Sequence, residues 1–249
     1  MRKEKKNRGI GKTVYTNVAS NLVLGVLVLS VGTLCFANTD EIPTAGKDGA
    51  AVYRSAAGEG QGVSLMFNVY WGTEELPRIL ETLEKYGAKT TFFIGGCWAD
   101  DNVETLKLIH SYGHEIGNHG YFHKDHDKLS LEQNEREISD CNRFIELAIG
   151  QKPTLFAPPS GAYGENTLQA CKTLGMNTIL WSKDTIDWRD KNAAVIYTRA
   201  TKNVKSGDFV LMHPMKETAD ALEDILKYYT SQNLKCVPVS ENLTGKSTV

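Results

Sequence analysis

The feature that most constrains this chain is a regular alternation of short apolar segments with longer amphipathic ones, beginning near Gly62. The apolar segments are rich in β-branched and aromatic residues, which favour strands, and several amphipathic segments end at a glycine, as helices do. The predicted strands are residues 63–69, 90–95, 114–120, 154–159, 176–182, 207–213 and 235–240. The predicted helices are residues 73–86, 100–112, 130–149, 165–174, 193–204 and 217–230.

Strands that alternate with helices form parallel sheets joined by crossover helices. The number of units fits a small α/β domain built as a distorted (β/α) barrel, closed or incomplete, and a doubly wound open sheet is the alternative. We expect this domain at residues 62–243, between a linker at 38–61 and a tail at 244–249. Ser130 and Gln133 are expected to form a capping box at the start of the third helix.

The N-terminus is typical of an export signal. Residues 1–12 carry six Lys or Arg and one Glu, and no charged residue occurs from Thr13 to Thr39. An uncleaved signal anchor over residues 13–37 is expected because this run is long enough to span a bilayer and follows a long basic head. The head would stay in the cytoplasm, with the domain outside the cell membrane. The end of the run, Cys35–Ala37, also resembles a cleavage site, so a secreted protein is the alternative.

Charge and cysteine content exclude some classes of protein. The whole chain carries −2 and its first twelve residues +5, so the remainder carries −7. An acidic body is not expected to bind nucleic acid. Apart from Cys35, the four cysteines are scattered without a C-x-x-C pair, which excludes a zinc ribbon. They can be buried small hydrophobes or disulfide partners.

In βα units, catalytic and binding residues lie at the C-terminal ends of the strands. His119 and His123 lie at the end of the third predicted strand, and imidazoles four residues apart on a helical turn could share one metal. Asp187 follows the fifth strand and His213 ends the sixth. An Asp that orients a His makes a general acid, although a capping Asp and a core His are the structural alternative.

Five segments, taken in order, resemble the motifs of the polysaccharide deacetylase family, the NodB-type carbohydrate esterases. They are MFNV at 66–69, NHGYFH at 118–123, FAPPSGAYG at 156–164, DTIDW at 184–188 and LMH at 211–213. The resemblance implies a distorted (β/α) barrel whose relatives remove N- or O-acetyl groups from polymers such as chitin and peptidoglycan. A weaker likeness, to the sporulation-associated branch, rests on the Trp-Gly that ends the first motif.

The resemblance also implies roles for particular residues. A divalent metal, usually zinc in the family, would be held by His119 and His123. His213, oriented by Asp187, would protonate the leaving group. The residues expected to contact a cell-wall polysaccharide are Trp71, Tyr121, Pro158, Trp188 and Leu211.

Three positions depart from the family pattern. Asn68 stands where the base Asp is expected, Val69 where a metal-binding Asp is expected, and Ala157 where an Arg pairs with that base. An amide cannot act as a general base near neutral pH. The third metal ligand would then have to come from the Asn68 carbonyl oxygen, or from His126 or Asp125. Aspartates at positions 68 and 69 are expected to strengthen metal binding.

These departures leave three functional hypotheses open. The first is a metal-dependent deacetylase of low activity, in which His213 could serve as both base and acid. The second is a catalytically inactive relative that binds a glycan through aromatic side chains. The third is a membrane-tethered scaffold. The retained histidines and the DTIDW and LMH segments favour the first two.

Overall fold

We describe the protein from a computed structural model that covers residues 44–45, 51–56 and 62–244, with the backbone alone at 44–45. The basic head, the signal anchor and its cleavage site, and nearly all of the tail lie outside the described residues. In the described ranges, every helix is too short or too polar to cross a membrane.

The described strands form one sheet of nine strands in the order β1-β2-β7-β6-β5-β4-β3-β9-β8. Only the β1–β2 pair is antiparallel. The strands are β1 Thr44–Ala45, β2 Ala51–Tyr53, β3 Ser64–Val69, β4 Thr91–Ile94, β5 Glu115–Asn118, β6 Leu155–Phe156, β7 Asn177–Ile179, β8 Lys183–Asp184 and β9 Phe209–Met212.

The sheet curls, so that its two edges approach each other. Ser55, just after β2, bridges Asp208, just before β9, and the backbone N–H of Ala56 donates to the carbonyl of Gly207 (2.9 Å). These contacts join the β2 side of the sheet to the β9 side. A curled, mostly parallel sheet with helices is consistent with the predicted distorted (β/α) barrel.

The described helices follow the strands as the alternation predicts. They are α1 Leu76–Lys85, α2 Gly96–Asp101, α3 Val103–Ser111, α4 Leu131–Ile149, α5 Glu165–Leu174, α6 Asp187–Asp190, α7 Ala193–Thr201, α8 Lys216–Ser231 and α9 Val239–Thr244. The capping box at α4 is confirmed, since Ser130 Oγ accepts from the Gln133 N–H (3.2 Å) and Gln133 Oε1 accepts from the Ser130 N–H (2.9 Å).

Three expectations need correction. The strand predicted at residues 235–240 does not form, because residue 238 is a proline with no N–H to pair. In its place there is an isolated bridge between Val63 and Cys236, and α9 follows. The helix predicted at 100–112 is divided at Asn102, whose side-chain amide donates to the Trp98 carbonyl (2.7 Å) and competes with helical bonding. Finally, β1 and β2 lie in the range expected to be a linker.

The core determines which side chains of β3 can reach the site. Phe67 and Val69 belong to the large cluster under the helices, whereas Met66 belongs to a cluster inside the curl. Successive side chains of a strand face opposite sides, so Asn68 shares the inner side with Met66. The four cysteines of the described ranges are free thiols, and Cys141 and Cys171 are buried as the hydrophobe alternative expected.

Candidate active site

A cavity of about 370 Å³ lies where β3, β5, β8 and β9 end. The pairing register opposes Met66 to Leu211 and Ile94 to Asn118, which brings these strand ends to one edge. Two larger cavities, of about 640 and 650 Å³, lie elsewhere and contain none of the candidate residues. The smaller cavity is lined by Asn68, Trp71, His119, His123, Ser160, Trp181, Asp184, Trp188, Leu211 and His213.

Asp187 and His213 form the hydrogen-bonded pair that the sequence predicts. The Nδ1 of His213 lies 2.7 Å from Asp187 Oδ1, and the His213 backbone N–H donates to Asp187 Oδ2 (2.7 Å). A carboxylate accepts, so Nδ1 carries the proton and Nε2 is the nitrogen free to meet a ligand. Asp187 itself is fully buried.

Two threonines fix this pair in place. Thr218, on α8, donates its hydroxyl to Asp187 Oδ2 (2.6 Å), and the Trp188 N–H donates to Oδ1 (2.9 Å). Thr185 donates to the Leu211 carbonyl (2.7 Å), which ties the loop that carries Asp187 onto β9. Sequence reasoning missed Thr218, because a threonine 31 residues from Asp187 gives no local signal.

His119, directly after β5, presents a neutral ring. Its Nδ1 donates to the carbonyl of Ala157 (2.7 Å) and so leaves the Nε2 lone pair unshared. Burial, reinforced by the neighbouring His123, lowers the pKa of His119 to about 3. A neutral imidazole held through one nitrogen is the form that binds metals.

His123 lies in a loop, not on the helical turn considered from the sequence. Its backbone is left-handed (φ 52°), and its ring centroid lies 5.0 Å from that of His119. Burial lowers the pKa of His123 as well. Tyr70 stacks on it, with centroids 4.3 Å apart.

The loop that carries His123 is anchored by Glu137 of α4, which sequence reasoning did not single out. The buried carboxylate accepts from the backbone N–H groups of Tyr121 (3.1 Å) and Phe122 (2.8 Å). It also pairs with Lys124 (2.7 Å). These bonds fix the residues on both sides of His123.

Aromatic side chains form much of the cavity wall. Trp71 stacks on His213, with centroids 5.3 Å apart and planes 14° from parallel, and its edge faces His123. Trp188 is 50% exposed at the rim. Trp181 and Ser160 also line the wall, and neither was singled out from the sequence.

Some expected contact residues lie away from the wall. Tyr121 packs against Gly96, so closely that a Cβ there would lie 2.3 Å from its ring. Pro158 precedes a 3₁₀ turn and does not line the cavity. His126 is buried with Nδ1 against Asn134 (2.6 Å), and Asp125 pairs with Lys128 at the surface, so neither supplies a metal ligand in this arrangement.

The residues present do not complete a metal site. In the described ranges there is no group of three His, Cys, Asp or Glu side chains arranged to hold an ion. Val69 is buried in the core, and Asn68 offers a neutral oxygen in place of a carboxylate. Catalytic zinc normally has three protein ligands, and His119 and His123 supply two.

Comparison with known proteins agrees with these features. The family model described as polysaccharide deacetylase matches residues 56–179. An uncharacterized Bacillus subtilis protein, YlxY, is 40% identical over 66% of this chain, which spans about half (51%) of that relative. A peptidoglycan-N-acetylglucosamine deacetylase of Bacillus cereus is 36% identical over 68% of this chain and 82% of its own length.

A solved structure is similar across most of the described domain. It is BA3943 of Bacillus anthracis, described as a CE4 family pseudoenzyme, and it is 36% identical with a TM-score of 0.77. The match covers 80% of this chain and 70% of that one.

Proposed function

We propose a function for this chain on the premise that it belongs to the polysaccharide deacetylase family, carbohydrate esterase family 4. The chain acts on acetylated cell-wall glycan through the cavity at the strand ends, as a deacetylase-type hydrolase of low activity. The observation that carries this proposal is one cavity lined by His119, His123 and His213, with the buried Asp187 bonded to His213 and with Asn68 at the base position.

The chain's own residues account for a slow reaction. His213 Nε2 takes a proton from the attacking water and returns it to the leaving amine as the C–N bond breaks, giving acetate and a free amino sugar. Asp187 keeps the ring in the required tautomer throughout. Asn68 cannot share this work because an amide has no basic lone pair near neutral pH.

Metal binding is part of the proposal, with zinc as the first candidate ion. We expect His119 and His123 to bind it with a Kd weaker than about 1 μM, because the third ligand is missing. Zinc titration calorimetry, with His119→Ala and His123→Ala as controls, measures this affinity.

The relatives support a proposal for the substrate, and the N-terminal segment supports one for the location. Peptidoglycan is the proposed glycan, since one relative is named for its N-acetylglucosamine groups. Aromatic faces such as Trp71 and Trp188 suit contact with sugar rings. We propose that residues 13–37 anchor the domain on the outer side of the cell membrane, and that the substrate is vegetative wall or spore glycan.

Acetate release tests the proposal. The full-length chain in detergent micelles is incubated with N-acetylglucosamine oligomers or peptidoglycan and 50 μM zinc, and acetate is measured over hours. We expect slow release that His213→Gln abolishes and Asn68→Asp accelerates. Release that persists in His213→Gln would refute the assigned mechanism.

A silent glycan-binding protein is the second candidate, favoured by the amide at position 68. It predicts no acetate release, together with oligosaccharide affinity that is equal in the wild-type chain and in His213→Gln. Failure of both binding and release would refute a glycan function for this cavity.

A further inference from the structure

Asn68 Oδ1 is a buried acceptor that no donor in the described residues reaches. The residue is 4% exposed. Buried polar atoms nearly always have a partner, so an orphan at a cavity wall is an acceptor that a donor group of a ligand can satisfy. The other orphaned atoms, on His114, His126 and Thr178, belong to residues that do not line this cavity.

The position of Asn68 directs its amide into the cavity. Its neighbours Phe67 and Val69 pack under the helices, whereas Asn68 lines the cavity. Two ring N–H groups of the cavity are committed elsewhere, since His119 donates to Ala157 and His213 donates to Asp187. A bound molecule with an N–H group can therefore supply the donor that Asn68 Oδ1 lacks.

We infer that Asn68 makes this cavity selective for N-acetyl over O-acetyl groups, by accepting a hydrogen bond from the acetamido N–H. The inference rests on the proposed function, because it assumes an acetylated glycan in the cavity. An acetate ester has an oxygen at the place of the N–H. That oxygen offers no proton and would leave Asn68 Oδ1 buried without a partner.

Binding to a matched pair of ligands tests the inference. The ligands are chitotetraose and a cellotetraose acetylated at its 2-hydroxyls, which replaces each N–H by O. Calorimetry is done with the full-length chain in detergent and in EDTA. We expect chitotetraose to bind at least about tenfold more tightly, a difference of about 1.4 kcal/mol.

Two variants locate the source of the preference. For Asn68→Ala we expect the Kd values of the two ligands to lie within about twofold of each other. Ser160→Ala alters another polar residue of the cavity wall and is expected to keep the preference for chitotetraose. Thermal unfolding of each variant checks folding, and the wild-type comparison stands even if a variant does not fold.

Other outcomes overturn the inference in recognisable ways. Equal wild-type affinities, or a preference that survives in Asn68→Ala, would refute it while leaving a glycan function intact. A preference that appears only when zinc replaces EDTA would mean that Asn68 Oδ1 binds the metal, and it would also refute the inference. If neither ligand binds, the inference and the proposed glycan function fail together.

Discussion

Replacing Asp187 by Asn should destabilise the domain by about 3 kcal/mol. The fully buried carboxylate accepts four hydrogen bonds, two on each oxygen. Asn is nearly isosteric but has one acceptor oxygen. The substitution therefore tests hydrogen bonding and leaves packing almost unchanged.

The magnitude follows from the two arrangements that Asn could adopt. If its oxygen replaces Oδ1, it keeps the bonds from His213 Nδ1 and the Trp188 N–H, while the Thr218 hydroxyl can rotate to accept from the new NH₂. The His213 backbone N–H is then orphaned, at about 1–3 kcal/mol, and the retained bonds lose their charge assistance. The reverse arrangement orphans the Trp188 N–H and forces His213 to move its proton to Nε2, so that Nδ1 accepts from the new NH₂.

Urea denaturation at pH 7 measures the effect, and a fall in Tm of about 6–12 °C should accompany it in a domain of this size. Asp184→Asn is the matched control, because this neighbouring carboxylate accepts a hydrogen bond from the Ile186 N–H (2.8 Å), which an amide oxygen retains. We expect the control to cost less than about 1 kcal/mol. Equal losses in the two variants would refute the hydrogen-bond account.

Three further predictions concern stability. Burial lowers the pKa of His114 to about 4, so below pH 6.5 the unfolded chain binds more protons and the free energy of unfolding decreases as the pH falls, by about 2 kcal/mol from this group at pH 5. Urea denaturation at a series of pH values from 7.5 to 5 should show that the free energy of unfolding depends less on pH in His114→Gln, and as in the wild type in His110→Gln. Glu137→Ala should speed hydrogen exchange of the two loop amides that its carboxylate holds, with Glu137→Gln intermediate; equal exchange in all three proteins would contradict the anchoring role. Val69→Asp should cost at least about 3 kcal/mol in urea denaturation, because it buries an unpaired carboxylate, while Val69→Ala costs less; the opposite order would mean that the side chain reaches polar surroundings.

The parts of the fold that could be predicted are those that leave a local pattern. The βα alternation appears as apolar runs and glycine ends, and the parallel sheet follows from it. The strand-end rule then brings His119, His123, Asp187 and His213 to one edge, where the structure has them in contact or in one cavity.

The parts that could not be predicted depend on long-range packing. Thr218 and Glu137 bond to loops far away in sequence, and each is an ordinary helix residue by pattern. The strand β2 has three residues and belongs to the sheet only through its pairing with β7. Strands of two or three residues carry too little periodicity to distinguish them from a linker.

The direction of each β3 side chain decides what the departures from the family motif mean. Val69 faces the helices, so an aspartate there would meet core residues before it met a metal, and the expected gain in zinc affinity would have to come from position 68 alone. Asn68 faces the cavity, where its oxygen can accept a hydrogen bond but cannot take a proton. Hydrolysis needs the second ability and recognition needs only the first. On the proposed function, asparagine at position 68 would therefore lower turnover but would still accept a hydrogen bond from a ligand that carries an N–H.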